Sequence, residues 1–493
     1  MLSSRAEEIS GGTREASYRV NSRRDHSFEV LSSSKADPPI PDATAIILNW
    51  SRPQNVVLIA SVLCRSSLDG IIAEVFVWNN NPNATLSLHA FQETGCPSGK
   101  IRIFNSPENL YFQARFLACS QVRTPFCFIQ DDDYVIRPEI IKSMHAFYTV
   151  TPNKRSIHLL PPHEHSLSRL RTVQHSHTKV VTTFAWLGHG TFVAKSSVSE
   201  FLKRLHFLQL PEDELRMADN YFTILRAQLP EIWLDQGIEL AGGEPFTVGE
   251  EGHIRNTNAL RYLDSLLDVE SELFDRHENG LCYYQRPTRA PFRLSSNVVE
   301  TNIYILSGIK HDVTDMSEML STGAQNRKIV GDERLNIHSS APLSYAVDGV
   351  PHSAFLSAEY AKDGDYVSVD MLQATERHWR TVEMAWLVDG GTEGILRSCE
   401  YSQSIDGIQW TPIANPVVCH MVDSDTIASG HSPVTINIAV PTTLSECSIV
   451  VQDSNMSYTS RYFRATFRDQ GERTVHEKWR IHEVWLRGVR VEG

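Results

Sequence analysis

Three consecutive aspartates, Asp131, Asp132 and Asp133, end a run of strand-forming residues in the stretch CFIQDDDYVI (127–136). Adjacent like charges repel each other, so the triplet needs solvent, arginines or a metal ion as compensation. Carboxylates two residues apart on a tight turn, here Asp131 and Asp133, can hold one hard divalent cation such as Mn2+ or Mg2+. Such a cation binds diphosphates and stabilises the negative charge of a departing nucleoside diphosphate. A solvated or salt-bridged turn is the alternative, and the position at a strand end favours the metal.

Alternating strand and helix patterns run from residue 43 to about residue 235, which predicts a mainly parallel sheet covered by helices on both faces. Apolar strands end at NWSR (49–52), at WNNN (78–81) and at QDDDY (130–134). Ligands of such sheets bind beyond the carboxyl ends of the strands, so these three ends are predicted to share one edge. The polar side chains expected beside the triplet at this edge are Asn49, Arg52, Asn79 and Asn80.

The second half of the chain has a different pattern. Helical periodicity gives way to short alternating strands such as YVSVDM (366–371), RYFRATF (461–467) and WRIHEVWL (479–486), and turn residues separate them. This pattern predicts an antiparallel β-sandwich. The predicted organisation is a disordered Ser-, Arg- and Glu-rich tail, an α/β domain, and a linker with an all-β domain, over residues 1–42, 43–295 and 296–493.

Composition narrows the function classes. A net charge of -13 disfavours a nucleic-acid partner, because phosphate contacts need a basic surface. No stretch approaches the roughly 20 apolar residues that span a bilayer, so no transmembrane segment is predicted. Eight scattered cysteines without a CxxC pair predict buried free thiols. Sequons at Asn49, Asn83 and Asn455 permit glycosylation in a secretory compartment, but such tripeptides often arise by chance.

The order of the motifs resembles the exostosin-type GT-A glycosyltransferases, including their exostosin-like members. The resemblance covers about residues 44–265, and its most specific parts are VWNN and DDD. Two departures stand out, because Asn220 follows Asp219 where the family has adjacent acids, and the spacing from Asn109 to Arg115 is one residue longer. The matching segments are ILNWSRP (47–53), VFVWNNN (75–81), NLYFQARF (109–116), IQDDDY (129–134) and MADNYFTIL (217–225).

This resemblance implies a GT-A fold, Mn2+ or Mg2+ as cofactor, and a hexosyl- or N-acetylhexosaminyltransferase. The enzyme would move a sugar from a nucleotide-diphosphate donor, with a UDP-sugar as first candidate, to a glycan or glycoconjugate acceptor. In the triplet, Asp133 would bind the metal directly, Asp131 would lie near the ribose and the metal, and Asp132 would face the donor sugar. Asp219 would act at the reacting carbon, and Arg115 would offset diphosphate charge. The residues implied to line the nucleotide are Asn49, Arg52, Asn79 and Asn80.

A Gly-rich polar segment, GGEPFTVGEEGHIRN (242–256), is typical of a flexible loop that closes over a ligand. From this loop His253 and Arg255 could reach the phosphates or the metal, or they could form an exposed pair. A small-residue turn at Gly188 and Gly190 could let a donor sugar approach the backbone, or could serve only as a turn.

The C-terminal segment, about residues 335–490, resembles a discoidin-like jelly-roll sandwich, with KDGDYVSVDM (362–371) and CEYSQSIDGIQWTPI (399–413) among its matching stretches. Such domains often bind glycans or lipids. A second function therefore stays open, namely a non-catalytic carbohydrate-binding protein with a degenerate transferase domain. The compartment is open too. Related enzymes work in the secretory lumen behind an N-terminal anchor, so Golgi or ER lumen is expected if an anchor exists, and cytoplasm otherwise.

Overall fold

The structure is a computed structural model. The described residues form two compact units. One consists of the described residues between 40 and 263 together with 328–329, and the other consists of 29–30, 287–303 and the described residues between 330 and 490. The described residues are 29–30, 40–151, 155–162, 164–165, 172–174, 181–183, 185–226, 229–234, 237–242, 254–259, 261–263, 287–303, 328–372, 379–422, 443–453, 460–469 and 476–490.

The strands of this described part follow in chain order. They are β1 (Glu29–Val30), β2 (Ala43–Asn49), β3 (Ile72–Asn79), β4 (Ile101–Asn105), β5 (Phe126–Asp131), β6 (Tyr134–Val135), β7 (Ile157–Leu160), β8 (Thr172–Gln174), β9 (Val181–Thr183), β10 (Thr191–Ala194), β11 (Glu231–Leu234), β12 (Ile238–Glu239), β13 (Thr288–Pro291), β14 (Val298–Thr301), β15 (Phe355–Tyr360), β16 (Tyr366–Asp370), β17 (Trp379–Val388), β18 (Cys399–Ser404), β19 (Thr411–Ile413), β20 (Val418–Val422), β21 (Leu444–Asp453), β22 (Tyr462–Phe467) and β23 (Lys478–Arg490).

Helices cover the sheet of the first unit and flank the second. None of the helices within the described ranges is long and apolar enough to cross a membrane. The α-helices are α1 (Pro53–Leu63), α2 (Gln113–Gln121), α3 (Pro138–Val150), α4 (Lys195–Phe207), α5 (Glu212–Arg216), α6 (Asp219–Leu225), α7 (Asp332–Ser340) and α8 (Gly390–Arg397). The 3-10 helices are Ser66–Leu68, Leu88–Thr94 and Leu343–Ala346.

The first unit contains a mixed sheet in the order β11-β7-β10-β5-β2-β3-β4. Strand β2 runs parallel to β3 and β5, and β3 runs parallel to β4, whereas β10 is antiparallel to both β5 and β7. All seven residues of β2 are buried, as expected for a strand covered on both faces. Pro53 then begins α1 at a position where its missing N–H costs no hydrogen bond.

The register of these parallel strands aligns their carboxyl ends. Asn49 lies opposite Asn79, Asn79 lies opposite Asn105, and Leu48 lies opposite Asp131. The strand ends predicted to share one edge of the sheet therefore do so. On one face, α2, α4 and α6 pack together through Phe116, Phe201 and Phe222, whose ring centroids are 4.9 to 5.3 Å apart.

The second unit has two antiparallel sheets. One follows the order β1-β23-β17-β21-β20, with β15 also pairing with β23, and the other follows β13-β14-β16-β22-β18-β19. Trp386 of the first sheet contacts Tyr401 of the second, with ring centroids 5.8 Å apart. The predicted fold class, a mixed sheet flanked by helices followed by a β-sandwich, is confirmed. The predicted boundaries at 42 and 295 stay a prediction.

Two details concern those boundaries. Glu29–Val30, in the predicted tail, pairs with β23 opposite Gly488 and Arg487. Strand β13 precedes residue 295 and pairs with β14, which follows it.

The cysteines do not form the predicted set of free thiols. Six of the seven described cysteines are joined in disulfides, and Cys399 is not. Sequence spacing gave no signal of this pairing, because the partners meet only when strands and helices assemble. The disulfides are Cys64–Cys96, Cys119–Cys127 and Cys419–Cys447.

Candidate functional site

A chain of asparagine side chains ties the parallel strand ends together. Asn49 donates from Nδ2 to Oδ1 of Asn79 at 2.7 Å, and Asn79 donates from Nδ2 to Oδ1 of Asn105 at 2.9 Å. Asn49 and Asn79 are both buried. Their amides are therefore used to fix the backbone at the edge, and the nucleotide contact predicted for them stays a prediction.

Asn80 supports a loop that lies next to this edge. Its Nδ2 donates to Oδ1 of Asn109 at 2.8 Å, and its Oδ1 accepts from the backbone N–H of Leu110 at 2.9 Å. Tyr111, in the same loop, has a φ of 49°, which non-glycine residues rarely adopt. Its ring lies 5.4 Å from the guanidinium of Arg255. The loop is thus held in a fixed conformation from the end of β3.

The middle aspartate of the triplet is anchored to the end of β2. Asp132 accepts from the backbone N–H of Trp50 at 2.9 Å and from the guanidinium of Arg52 at 2.8 Å. The side chain of Asp132 is 5% exposed. Arg52 also donates to the carbonyl of Gly242, and Asn55 donates to the backbone carbonyls of Asp132 and Ala241. These contacts fix the triplet turn, whereas the catalytic role predicted for Asp132 stays a prediction.

Arg115 of α2 connects the first aspartate of the triplet to the first residue of α6. Its guanidinium donates to Oδ1 of Asp131 at 2.8 Å and to Oδ2 of Asp219 at 2.8 Å. The side chains of Arg115 and Asp219 are 1% and 2% exposed, and that of Asp131 is 27% exposed. Two carboxylates predicted to contribute to the site are thereby held together by one buried cation. The structure uses the charge of Arg115 for this bridge, and its predicted contact with a diphosphate stays a prediction.

Burial sets the protonation of these carboxyls. Removal from water raises the pKa of Asp219 to about 6, against the opposing effect of Arg115, and Asp131 adds to the rise. Burial likewise raises the pKa of Asp131 to about 6, although Arg115 acts in the other direction. Both groups are therefore ionised in most molecules at pH 7. The neighbouring carboxylates outweigh burial at Arg115 and raise its pKa.

Asp133 is the most exposed carboxylate of the triplet, with 41% of its side chain accessible. Partial burial and the charge of Asp132 raise its pKa, and Arg52, whose nearest nitrogen is 3.6 Å away, acts in the other direction. In these ion pairs, four carboxylates face two guanidiniums, which leaves an excess of two negative charges. One divalent oxygen-seeking cation would neutralise that excess, so the donor set fits Mn2+ or Mg2+. Asp133 and the accessible part of Asp131 are the residues that could hold it.

Gly188 lies against the carboxylate of Asp131. Its carbonyl accepts from the Asp131 N–H at 2.9 Å, and a Cβ on Gly188 would lie 2.3 Å from Oδ2 of Asp131. Gly190 has a φ of +124° and its Cβ would meet Leu159 at 3.1 Å. Gly188 therefore makes room for a site carboxylate, while Gly190 serves the turn. The donor-sugar approach predicted for this turn stays a prediction.

Gly188→Ala is expected to displace the Asp131 carboxylate, because the two groups cannot occupy the same space. A displacement of about 1 Å at a positioned group can lower turnover roughly a hundred-fold. In the transferase expected from the sequence, turnover and nucleotide binding of the variant should both fall, whereas the thermal midpoint should change little. Gly394→Ala is the matched control, since nothing lies within 4 Å of its Cβ position. Equal activity of Gly188→Ala and wild type would contradict this role.

The predicted closing loop is described only at its two ends. Gly242 receives the hydrogen bond from Arg52, and Arg255 lies beside Tyr111. His253 lies outside the described residues, so its predicted contact stays a prediction.

Three contributors were not anticipated. The Trp50 N–H and the Asn55 amide bind Asp132, and the ring of His189 lies near the triplet, where it acts to lower the pKa of Asp131 and Asp133. Asn55 could have been found, because it lies in the first turn of α1, which begins directly after the strand end NWSR (49–52).

No family model and no curated protein matches this chain. Among solved structures, a mannosyltransferase from Pyrobaculum calidifontis, in complex with GDP-Man and Mn2+, is 14% identical, with 55% of this chain and 74% of that chain covered and a TM-score of 0.34. Glucosyl-3-phosphoglycerate synthase from Mycobacterium tuberculosis, in complex with Mn2+, UDP-glucose and phosphoglyceric acid, is 10% identical, with 46% and 79% covered and a TM-score of 0.29.

A third solved structure is similar to a smaller part of the chain. The module CBM32-1 from a family 31 glycoside hydrolase of Clostridium perfringens is 21% identical, with 31% of this chain and 87% of that chain covered and a TM-score of 0.19. At these identities and scores, none of the likenesses establishes a family or a function for this chain.

Proposed function

We propose that this chain is a metal-dependent glycosyltransferase that moves a sugar from a nucleotide-diphosphate donor to a glycan or glycoconjugate acceptor, with a UDP-sugar as the first donor candidate. The observation that carries the proposal is the buried bridge of Arg115 between Asp131 and Asp219, beside the exposed carboxylate of Asp133. Burying charged groups costs free energy, which ion pairing only partly offsets. Carboxylates with strongly shifted pKa values are therefore found mostly at functional sites. Here they lie at the sheet edge where α/β proteins bind their ligands.

The metal would be Mn2+ or Mg2+, held by Asp133 with Asp131 nearby. When bound, it would supply charge stabilisation for the diphosphate of the donor. Asp132 does not need to contact it, because its charge is already met by Arg52 and by the Trp50 N–H. Its proposed role is to hold the turn so that Asp133 points its carboxylate outward.

Asp219 would act next to the reacting sugar carbon. An ionised carboxylate there stabilises the positive charge that develops as the bond to the diphosphate breaks. Arg115 would act as a positioning residue, because it fixes the Asp219 carboxylate and keeps it ionised. The hydrogen-bonded ends of β2 and β3 would provide the wall for the nucleotide, with Asn80 supporting the Tyr111 loop.

Turnover is expected to fall as the pH drops through about 6, because burial raises the pKa of Asp219 to about 6 and protonation removes its charge. Asp219→Asn should lower turnover by orders of magnitude while nucleotide binding changes little. The residual activity of this variant should no longer show the fall through about pH 6 that is due to protonation of Asp219. Turnover measured from pH 5 to 8 gives the pH dependence, and calorimetric titration gives the affinity for the nucleotide. A thermal midpoint that falls together with activity would assign Asp219 to folding alone.

The sandwich unit is proposed to bind the glycan acceptor, as a discoidin-like domain would. Tryptophan rings can stack on sugars, but Trp386 and Trp479 of this unit are fully buried in the core. Trp410 is half-buried and stacks on Arg464, whose guanidinium lies 3.7 Å from its ring. Among the tryptophans of this unit whose burial the structure describes, Trp410 and the half-buried Trp485 are therefore the ones with an accessible indole ring.

A non-catalytic carbohydrate-binding protein is the second candidate. The observation in its favour is Asn220, which leaves a single carboxylate at the start of α6. Incubation of the full chain with UDP- and GDP-sugars and Mn2+ separates the two functions. The transferase releases nucleoside diphosphate from at least one donor, and faster with its acceptor. Glycan binding without release from any donor would favour the second candidate.

A further inference from the structure

Six of the seven described cysteines are paired, and the pairs occur in both units of the chain. The partners are 32 residues apart in Cys64–Cys96, 8 in Cys119–Cys127 and 28 in Cys419–Cys447. Cys419 and Cys447 lie directly opposite each other on β20 and β21. Glutathione and thioredoxin keep cytosolic thiols reduced, so three such bonds are typical of a chain that folds in an oxidising compartment. This observation is independent of the candidate active site.

The sequon Asn83-Ala84-Thr85 lies on an exposed turn after β3, and all three of its residues are exposed. The turn is held from its inner side. The Asn83 N–H donates to Oδ1 of Asn81 at 2.9 Å, and Nδ2 of Asn79 donates to the carbonyl of Ala84. The backbone of the sequon is therefore fixed by internal contacts, while the Asn83 side chain faces solvent. The Cys64–Cys96 disulfide closes a loop that contains this turn.

The other sequons differ from this one. Asn49 is 2% exposed and its amide nitrogen is committed to Asn79, so a glycan there would disrupt the strand-end network. Asn455 lies outside the described residues. Of the two sequons within the described ranges, the one at Asn83 therefore has the accessible asparagine.

We propose that this protein folds in an oxidising secretory compartment and that Asn83 carries an N-linked glycan there. The donor class is a lipid-diphosphate-linked oligosaccharide, used by the transferase of that compartment. Nδ2 of Asn83 forms the bond to the first sugar carbon and loses a proton. The bond from that carbon to the diphosphate oxygen breaks, and the lipid diphosphate leaves with the electron pair. No redox partner is needed for this transfer.

The glycan would lie outside the proposed catalytic machinery. Asn83 is three residues beyond Asn80, and its side chain is not part of the hydrogen-bonded chain of Asn49, Asn79 and Asn105 at the strand ends. Removal of the acceptor amide should therefore leave donor turnover unchanged. The glycan is detected by peptide mapping and the transferase activity by donor turnover, so each proposal can fail without the other.

The test is peptide mapping of the full-length protein isolated from the cells that make it, with thiols alkylated before lysis. Enzymatic deglycosylation in heavy-oxygen water marks each occupied asparagine. We expect Asn83 to be marked in most molecules, Asn49 to be unmarked, and Cys64 to be recovered linked to Cys96. An unmarked Asn83, or alkylated Cys64 and Cys96, would overturn the proposal.

Variants made in a eukaryotic secretory host give the second arm. Asn83→Gln and Thr85→Ala should both remove the glycan-dependent gel shift assigned to this site, because the transferase needs the asparagine and the hydroxyl two residues later. Asn455→Gln is the matched control and should keep the Asn83 glycan. Persistence of the Asn83 mark in Thr85→Ala, or its absence in the control, contradicts a sequon-dependent modification.

Discussion

Asp133→Asn is expected to abolish the metal dependence of nucleoside diphosphate binding while the fold persists. Asp133 is the most exposed carboxylate of a site with two negative charges in excess. In the proposed enzyme, the cation and the diphosphate neutralise each other's charge in a protein of net charge -13. Loss of the Asp133 carboxylate as a metal ligand should therefore weaken the binding of both the cation and the diphosphate. Loss of a preorganised charge contact costs about 3–4 kcal/mol, or a hundred- to a thousand-fold in rate. Calorimetric titration with and without Mn2+ measures the effect on binding.

The matched control for this change is Asp69→Asn. Asp69 is also half-exposed and paired, with Lys100 at 2.9 Å, but it lies outside the candidate site. The Asp69→Asn variant should keep wild-type nucleotide binding and turnover. Stability of Asp133→Asn without metal should equal or slightly exceed that of wild type, because like-charge repulsion with Asp132 is relieved. Wild-type binding that is indifferent to Mn2+ would reduce the triplet to a salt-bridged turn.

Arg115→Leu is expected to destabilise the first unit by about 3–5 kcal/mol, the usual cost of leaving buried charges without their partner. Both Asp131 and Asp219 lose their cation, and the Asp219 carboxyl has almost no access to water. Turnover should fall in parallel, because neither carboxylate keeps its position. Denaturant unfolding of the full chain, followed at pH 7.5, measures the loss of stability.

The pH dependence of this loss identifies its cause. Arg115 acts to lower the pKa of Asp131 and Asp219, so its removal raises both values further above those of the unfolded chain. The folded variant then binds more protons than the unfolded one between about pH 4 and 7, and its stability rises as the pH falls. The deficit relative to wild type should shrink towards pH 5. A deficit that is constant with pH would indicate lost packing only.

Arg102→Leu provides the control for the arginine substitution. Arg102 pairs with Glu74 at 2.7 Å, and both side chains are partly exposed. Such pairs contribute about 0–1 kcal/mol, so this variant should unfold close to wild type at every pH. A loss at Arg102 as large as that at Arg115 would show that burial of the bridge has no special role.

Sequence alone determined which strand ends would meet. Parallel strands with short helical connections must place their carboxyl ends at one edge, so Asn49, Asn79 and Asp131 could be grouped before any coordinates were known. The alternation of buried and exposed residues likewise predicted the sandwich, as in β22, where Phe463 and Ala465 point inward. These inferences succeed because periodicity and strand direction are local properties of the chain.

Tertiary structure decided how the charges and sulfurs are paired. Arg115 and Asp219 are 104 residues apart, and no local pattern indicates that one guanidinium bridges Asp219 and Asp131. The same holds for Cys64 and Cys96, which were expected to be free thiols. Pairing of this kind depends on the packing of helices against the sheet, which fixes distances that sequence spacing does not encode. Sequence therefore located the edge of the sheet, and long-range packing determined which of its carboxylates is left exposed.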